Sequence, residues 1–512
     1  MNVGHMLERI YGNTSTLNPQ KMAIKLENEK GWTYRQLDET ANRYGNALRE
    51  MGVSKGDRVG ILLYNTLEYW ALYFAIAKVG AVAVRINFRL SSEEFKYILN
   101  DSGTKVLCFH SSLRDALEPI VKNVNVEQFI ALNDNHSIPD WALNWSVLEN
   151  GNPGSIMGNT NISDPVMLMY TSGTTGRPKG ALWSHSNTLW FSSMQIMKWG
   201  INENTVAMTT GPLYHVGAME DFALPTILAG GTIILTKSGN FNINHSLAIA
   251  EQEKVTDMML FPFMIYELLH NTNENDFPLE SIRTMYSGGD PVRPWAIQQL
   301  KKRYPHIGLV QVYGLTEGTP IATSLDGEDA EKKGHTVGKP LPMTEVKVVN
   351  DDGDEVPVGE IGEICIKSPV VCEGYWNRPD ANVETFINGW CYTGDLGQVD
   401  EEGYLTVSGR KKDMIRSGGE NIYAAEIENI LMTHPNIADV AVIGIPDPKY
   451  IETVCAVVIA KDRSAIDEEG VIHYCKQHLA SYKKPKVIYF VDEIPRTPSG
   501  KIQKYILRER YK

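Results

Sequence analysis

From Thr33 onward, apolar positions recur every three or four residues, and Leu37, Ala41, Tyr44 and Leu48 share one face of a predicted helix. Thr33-x-x-Gln36 opens that helix as a capping box, and Gly52 stops it. The period then changes. Short unbroken apolar runs at 59–63, 82–86, 106–109 and 129–132 alternate with helical stretches. That spacing predicts parallel strands buried on both faces. The same alternation resumes from 206 to 285, with further strands expected at 233–235 and 258–261. From residue 345 the pattern becomes antiparallel: runs at 346–349 and 361–366 flank the turn 351–354, and a second hairpin turn falls at 400–403. Past residue 413 a separate unit is predicted. It has a helix carrying Ile427, Ile430 and Leu431 and ended by Pro435, strands at 440–445 and 454–459, a helix at 470–479 and a strand at 487–491.

Composition narrows the class. The chain has 512 residues, 49 basic against 62 acidic side chains, a net charge of −13 and 43% hydrophobic residues. That is a globular composition spread over several units, and it excludes collagen, coiled-coil and disordered classes. The negative balance argues against nucleic acid or an anionic membrane as partner. The longest apolar run, 71–84, is interrupted by Lys78 and falls short of the roughly 18–20 residues a bilayer needs. Residues 1–13 lack a basic region followed by an apolar stretch, and the six cysteines show no C-x-x-C spacing. A cytoplasmic protein with reduced thiols is expected. The exception to the acidic balance is the tail 476–512, with ten basic against three acidic residues. Such a run is ordinarily a solvated face, and otherwise an anion-binding surface.

Candidate chemistry concentrates in Tyr170-Thr171-Ser172-Gly173-Thr174-Thr175-Gly176-Arg177-Pro178-Lys179-Gly180. Its glycines permit close backbone approach, and its hydroxyls and cations supply the hydrogen bonds and positive charge a polyphosphate requires. The Walker spacing is absent. Elsewhere Glu317 is a hard oxygen ligand suited to Mg²⁺, Asp395 suits a ribose diol, and Arg410 offers a planar donor fork. Taken singly, each has a plainer reading: an exposed carboxylate, an Asx turn, a linker cation.

Together these segments resemble the adenylate-forming superfamily of acyl-CoA synthetases, adenylation domains and luciferases. The 170–180 stretch resembles its phosphate loop, Tyr313-Gly314-Leu315-Thr316-Glu317 its adenine and metal motif, and Tyr392-Thr393-Gly394-Asp395 its ribose motif. Ser408-Gly409-Arg410-Lys411-Lys412-Asp413 resembles its hinge, and Ser417-Gly418-Gly419-Glu420-Asn421-Ile422 the loop that follows. Pro495-Arg496-Thr497-Pro498-Ser499-Gly500-Lys501-Ile502 matches the motif of its catalytic lysine. All occur in family order, over about residues 10–510.

The resemblance implies an α/β fold. A large N-terminal domain of stacked αβ subdomains plus a β-barrel-like part would span 1–409, with a hinge at 410–412 centred on Lys412. A small mobile α+β lid would span 413–512. It implies Lys501, Glu317, Thr171 and His215 as catalytic, with Thr171 and Glu317 at Mg²⁺. ATP or AMP would lie against Thr171, Ser172, Gly173, Thr174, Thr175, Gly176, Lys179, Gly289, Asp290, Gln311, Tyr313, Gly314, Thr316, Asp395, Arg410 and Lys501. An acyl pocket would be lined by His215, Gly288, Gly289 and Leu315, and CoA held by Gly418, Gly419, Glu420, Lys483 and Lys484, with Lys486 beside them. Lys501 would stabilise charge as the acid attacks the α-phosphate.

Two positions depart from the family pattern: Asp290, where small residues are commoner, and Ala424, where proline is usual. The expected activity is an AMP-forming acyl-CoA synthetase using ATP, Mg²⁺ and CoA on a fatty or aromatic acid, as a monomer or homodimer. The alternative is an adenylating enzyme that loads an acyl carrier protein. Amino-acid activators usually carry an Asp where Val216 stands. Glu220 and Asp221, a few residues on, could serve a cationic substrate, but are expected rather as surface carboxylates. The aromatic- and Met-rich stretches 190–199 and 261–266 are expected mainly in the core.

Overall fold

In the computed structural model, which describes residues 2–7, 20–133, 136–156, 160–171, 178–239, 241–273, 276–417, 420–496 and 502–512, the capping box at Thr33 forms. Gln36 N–H donates to Thr33 Oγ1 at 3.2 Å, and Thr33 N–H to Gln36 Oε1 at 2.9 Å. The helix runs Tyr34–Glu50, and Gly52 beyond it takes a φ of 85°. Two boxes that the sequence reading passed over, Ser91 with Glu94 and Ser184 with Asn187, open the helices Ser92–Ser102 and His185–Trp199.

The described residues cluster into two compact units, Met1–Val346 with Ile366–Tyr392 and Lys347–Cys365 with Thr393–Lys512. In the first, the four predicted apolar runs become Arg58–Leu62, Val82–Arg85, Thr104–His110 and Gln128–Leu132, all joined by parallel pairing in a seven-stranded sheet. A nine-stranded sheet has a parallel centre of Val206–Thr209, Thr232–Leu235, Asp257–Met259, Thr284–Gly288 and Gly308–Leu315. The expectation of parallel strands holds for these centres. Towards the edges, Lys179–Ser184 and Thr319–Leu325 pair antiparallel with the strands before them. The strand expected at 258–261 ends at Met259, because Pro262 starts the helix Pro262–Asn271.

The helix Leu67–Val79 packs on Arg58–Leu62 and Val82–Arg85 of one sheet and on Met22–Leu26 of the other. Covered on both sides, it is apolar all round. Its one cation, Lys78, is fully buried: Nζ lies 2.6 Å from Asp38 Oδ1 and 2.8 Å from Asn42 Oδ1, both on the helix Tyr34–Glu50. The stretch 190–199 divides as its helical period requires. Phe191 and Met194 enter the core, while Trp190 and Met197 are exposed.

The β-rich stretch supplies Glu345–Val349, Gly362–Lys367, Phe386–Ile387, Trp390–Val399 and Leu405–Arg410 to a five-stranded sheet. Within the second unit, Ile437–Asp447 pairs antiparallel with Ile451–Ala460, and Val487–Phe490 adds parallel to the latter. The helices Ala424–Leu431 and Glu468–His478 contribute Ile427, Leu431 and Val471 to its core. Among the described residues, no helix is long and apolar enough to cross a membrane. All six cysteines are buried thiols. Burial pushes Cys365 and Cys455 up to about 12 and Cys475 to about 11.

Candidate active site

The phosphate-loop stretch joins two antiparallel strands, Pro165–Thr171 and Lys179–Ser184, with Thr171 opposite Lys179. Ser172, Gly173, Thr174, Thr175, Gly176 and Arg177, between them, lie outside the described residues. The loop therefore leaves the C-terminal end of a strand that pairs parallel with Val82–Arg85, the end at which open α/β sheets bind ligands. Tyr97 fixes its far root by donating its hydroxyl to the Pro178 carbonyl at 3.0 Å.

At the near root, Thr171 Oγ1–H donates to Glu317 Oε1 at 2.9 Å. Tyr375 OH reaches the same oxygen at 3.0 Å. Glu317 is buried, 8% exposed, and its carbonyl accepts from Cys372 N–H at 3.0 Å. Lys179 Nζ sits 5.0 Å from the Tyr375 ring centroid, within cation–π range. Burial, then the charge of Glu317 and the bond to it, hold the Tyr375 phenol well above its usual range, so it stays a donor.

Gln311, Tyr313, Gly314 and Leu315 lie on the strand Gly308–Leu315, beside Thr284–Gly288. Gly314 admits no side chain: a Cβ there would stand 2.2 Å from the Thr319 carbonyl oxygen. Gly288 is crowded by Val312, and Gly289 turns the chain with a φ of 92°. Thr316 offers its carbonyl to Trp183 Nε1–H at 3.0 Å. Ser287 and Gln311 are register partners, and Gln311 Oε1 accepts from Val292 N–H at 3.0 Å. Among the described residues Ser287 Oγ and Gln311 Nε2 are buried without partners, so two polar atoms stand ready on one face of the sheet end. Asp290 is exposed.

His215 caps the short helix Val216–Met219, its Nδ1 accepting from Gly217 N–H at 3.1 Å. Its carbonyl accepts from Arg85 at 3.2 Å. The expectation of surface carboxylates at Glu220 and Asp221 is overturned: they are 0% and 5% exposed. Glu220 pairs with the equally buried Arg85, which also donates to the Leu213 carbonyl. Polarity along the sequence is no guide to exposure where a buried arginine supplies the counter-charge.

In the second unit, Asp395 and Arg410 face each other across paired strands, with Arg410 Nε 2.7 Å from Asp395 Oδ1. Lys412 is exposed in the turn Lys411–Asp413, whose Lys411 pairs with Asp351 and Glu363, each at 2.9 Å. Glu420 is exposed at the start of a strand pairing with Ile415–Ser417. Gly418, Gly419 and Lys501 lie outside the described residues. Lys483 Nζ contacts both carboxylate oxygens of Glu426, at 2.7 and 2.8 Å, and Lys484 Nζ bonds the Ser481 carbonyl at 2.8 Å. Arg496, Lys504 and Arg508 also close on carboxylates, those of Asp439, Glu428 and Asp413. The basic excess read along the tail is thus partly neutralised in space.

Residues 13–376 match the AMP-binding enzyme family, and 426–501 match the AMP-binding enzyme C-terminal domain. The chain belongs to the AMP-binding enzymes. A feruloyl-CoA synthase from Amycolatopsis is 38% identical over 481 residues, 94% of each chain. A long-chain-fatty-acid–CoA ligase from Mycobacterium tuberculosis is 34% identical over 517 residues, 100% of this chain and 98% of the relative. ATP-bound MatB from Rhodopseudomonas palustris superposes with a TM-score of 0.89 at 30% identity, covering 100% of this chain and 99% of that one. This AMP-binding enzyme is an AMP-forming acid–CoA ligase, and its relatives favour CoA over a carrier protein as acceptor. Two site residues were not found by sequence reading. Tyr375 carries no charge and fits no apolar period, and Arg85 stands at the end of an apolar run whose burial hid its partner. The only sequence cue for Tyr375 is its setting, between Gly374 and Trp376.

Proposed function

We propose that the enzyme converts a fatty or aromatic acid and ATP to acyl-AMP and pyrophosphate, then passes the acyl group to the CoA thiol with release of AMP. The observation that carries the reading is the convergence of Thr171 and Tyr375 on Glu317 at the root of the phosphate loop. In this reading Lys179 and the loop residues hold the phosphates. Gly289, Asp290, Gln311, Tyr313, Gly314 and Thr316 surround the adenine, with Gln311 Nε2, unpartnered among the described residues, as a ready donor. Asp395 accepts from the ribose hydroxyls, and Arg410 holds its carboxylate in place. His215, Gly288, Gly289 and Leu315 border the acyl group.

The oxygen set at Glu317 fits Mg²⁺. It offers one carboxylate and the Thr171 hydroxyl, and this ion commonly binds one or two protein oxygens, waters and substrate phosphates. When bound, Mg²⁺ supplies charge neutralisation on the phosphates. Glu317 keeps its carboxylate aimed because two hydroxyls donate to the same oxygen. Lys501 places its ammonium by the acid carboxylate and α-phosphate during adenylation. A swing about Lys412 then removes it and brings Gly418, Gly419 and Glu420 to the thiol path, with Lys484 and Lys486 near the CoA phosphates. The enzyme acts in the cytoplasm, as a monomer or homodimer.

The test is pyrophosphate release from Mg·ATP with short, medium and long fatty acids, benzoates, cinnamates and amino acids, each with and without CoA. Acid-dependent release, with AMP and acyl-CoA accumulating when CoA is present, is expected. Adenylation that CoA does not discharge would sink the reading.

A further inference from the structure

Asp221 is a buried polar group of the first unit that the site described above does not use. It is 5% exposed, and among the described residues its Oδ1 is sealed from solvent without a hydrogen-bond partner. Buried polar atoms are nearly always partnered, and an orphan costs about 1–3 kcal/mol. Its neighbour Glu220 turns Oε1 to Arg85, leaving that guanidinium already matched, while Glu220 Oε2 is likewise buried without a partner among the described residues. The backbone of Asp221 is held on both sides. Its N–H donates to the Val216 carbonyl at 3.1 Å, and its carbonyl accepts from Ala223 N–H at 2.7 Å.

The location points to a ligand. Gly217 has no side chain, and a Cβ there would lie 3.2 Å from His215 Nδ1 and 3.6 Å from Asp221 Oδ2. The imidazole and Oδ2 of the carboxyl, the oxygen bonded to the same carbon as the orphaned Oδ1, therefore border the same spot beside Gly217. The next residue, Phe222, packs with Trp199 and Tyr286 in an aromatic cluster of the core, its ring centroid 5.0 Å from that of Trp199. A polar atom in this cluster, Trp199 Nε1, is likewise buried without a partner among the described residues.

We propose that Asp221 is a specificity-determining residue that hydrogen-bonds a hydroxyl or amino group carried by the acid substrate away from its reacting carboxylate. This rests on the reading of His215 as bordering the acyl group. Burial and the charge of Glu220 hold the Asp221 carboxyl well above the usual carboxylate range. A neutral carboxyl both donates and accepts, which suits a hydroxyl or an uncharged aryl amine. A site built around such a bond discriminates strongly against the analogue lacking it, because the protein group is then left unpaired.

The experiment uses the full-length enzyme and pyrophosphate release with matched acids: benzoate with its 4-hydroxy and 4-amino forms, cinnamate with 4-hydroxycinnamate, and octanoate with its 8-hydroxy and 8-amino forms. In the wild type, at least one substituted acid should exceed its parent in kcat/KM by about 10²-fold or more. Asp221→Leu should bring that pair to within a few-fold. Asp221→Asn, nearly isosteric and the safeguard against misfolding, should keep part of the preference, with the loss appearing in KM. Preference for hydroxyl or aryl amine identifies a neutral carboxyl, and preference for the 8-amino acid identifies an ionised one. Equal rates within every pair overturn the proposal, as does a preference that survives both substitutions. Failure of the underlying reading looks different: no acid elicits pyrophosphate, or His215→Ala leaves the KM of every acid unchanged.

Discussion

The hydroxyl of Tyr375 and the hydroxyl of Thr171 donate to one and the same oxygen, Oε1 of Glu317, at 3.0 and 2.9 Å. The carboxylate is thereby held by two neutral donors. Tyr375→Phe removes one bond while leaving a ring under Lys179. Loss of such a bond to a charged group is worth about 1.5–3 kcal/mol, so adenylation should slow about 10-fold or more and need a higher Mg²⁺ concentration. Pyrophosphate release titrated with Mg²⁺ checks this, and wild-type values for both would refute the positioning role.

Asp395 and Arg410 are cross-strand partners, 2.7 Å apart. Asp395→Ala should raise the KM for ATP about 10-fold or more while leaving the KM for the acid nearly unchanged. Steady-state kinetics with each substrate varied in turn separate the two.

Lys78 and Asp38 are both buried, and removing one leaves the other charge without compensation. Asp38→Ala should destabilise by about 3–5 kcal/mol. The double variant Asp38→Leu with Lys78→Met should recover most of that loss. Urea denaturation of the single and double variants measures the difference.

His185 is fully buried, its Nδ1 accepting from Val3 N–H at 3.2 Å. Burial lowers its pKa from 6.5 to about 4. Between those values the unfolded chain binds the extra proton, so this residue's contribution is complete above about pH 6.5 and is lost as pH falls towards 4. From pH 7 to 5 the loss is about 2 kcal/mol. Urea midpoints at both pH values should fall less in His185→Leu than in the wild type, and equal slopes would rule the assignment out.

The sequence was most readable where one rule acted alone. The box at Thr33 needs only its own four residues, and the parallel strands at 58–62 and 104–110 announce themselves by uninterrupted apolar runs. Glu317, Thr171, Asp395 and Arg410 were nameable because they sit in contiguous motifs, and the structure brings Glu317 to Thr171 and Arg410 to Asp395. What stayed hidden depends on partners distant in the chain. Glu220 looks like a surface residue until Arg85, 135 positions away, is placed against it. Tyr375 has no visible task until the fold brings it to Glu317, 58 positions away. Lys483 looks like a free cation until Glu426 closes on it.

Burial shields all six cysteines from thiol reagents, and at Cys108, Cys365, Cys372, Cys455 and Cys475 it also disfavours the reactive thiolate. A cysteine introduced at an exposed position, such as Lys412 or Tyr505, would then be the sole point of attachment for a dye or spin label, with no background to remove. The swing proposed about residue 412 becomes something that can be tested on an otherwise unmodified protein, turnover by turnover.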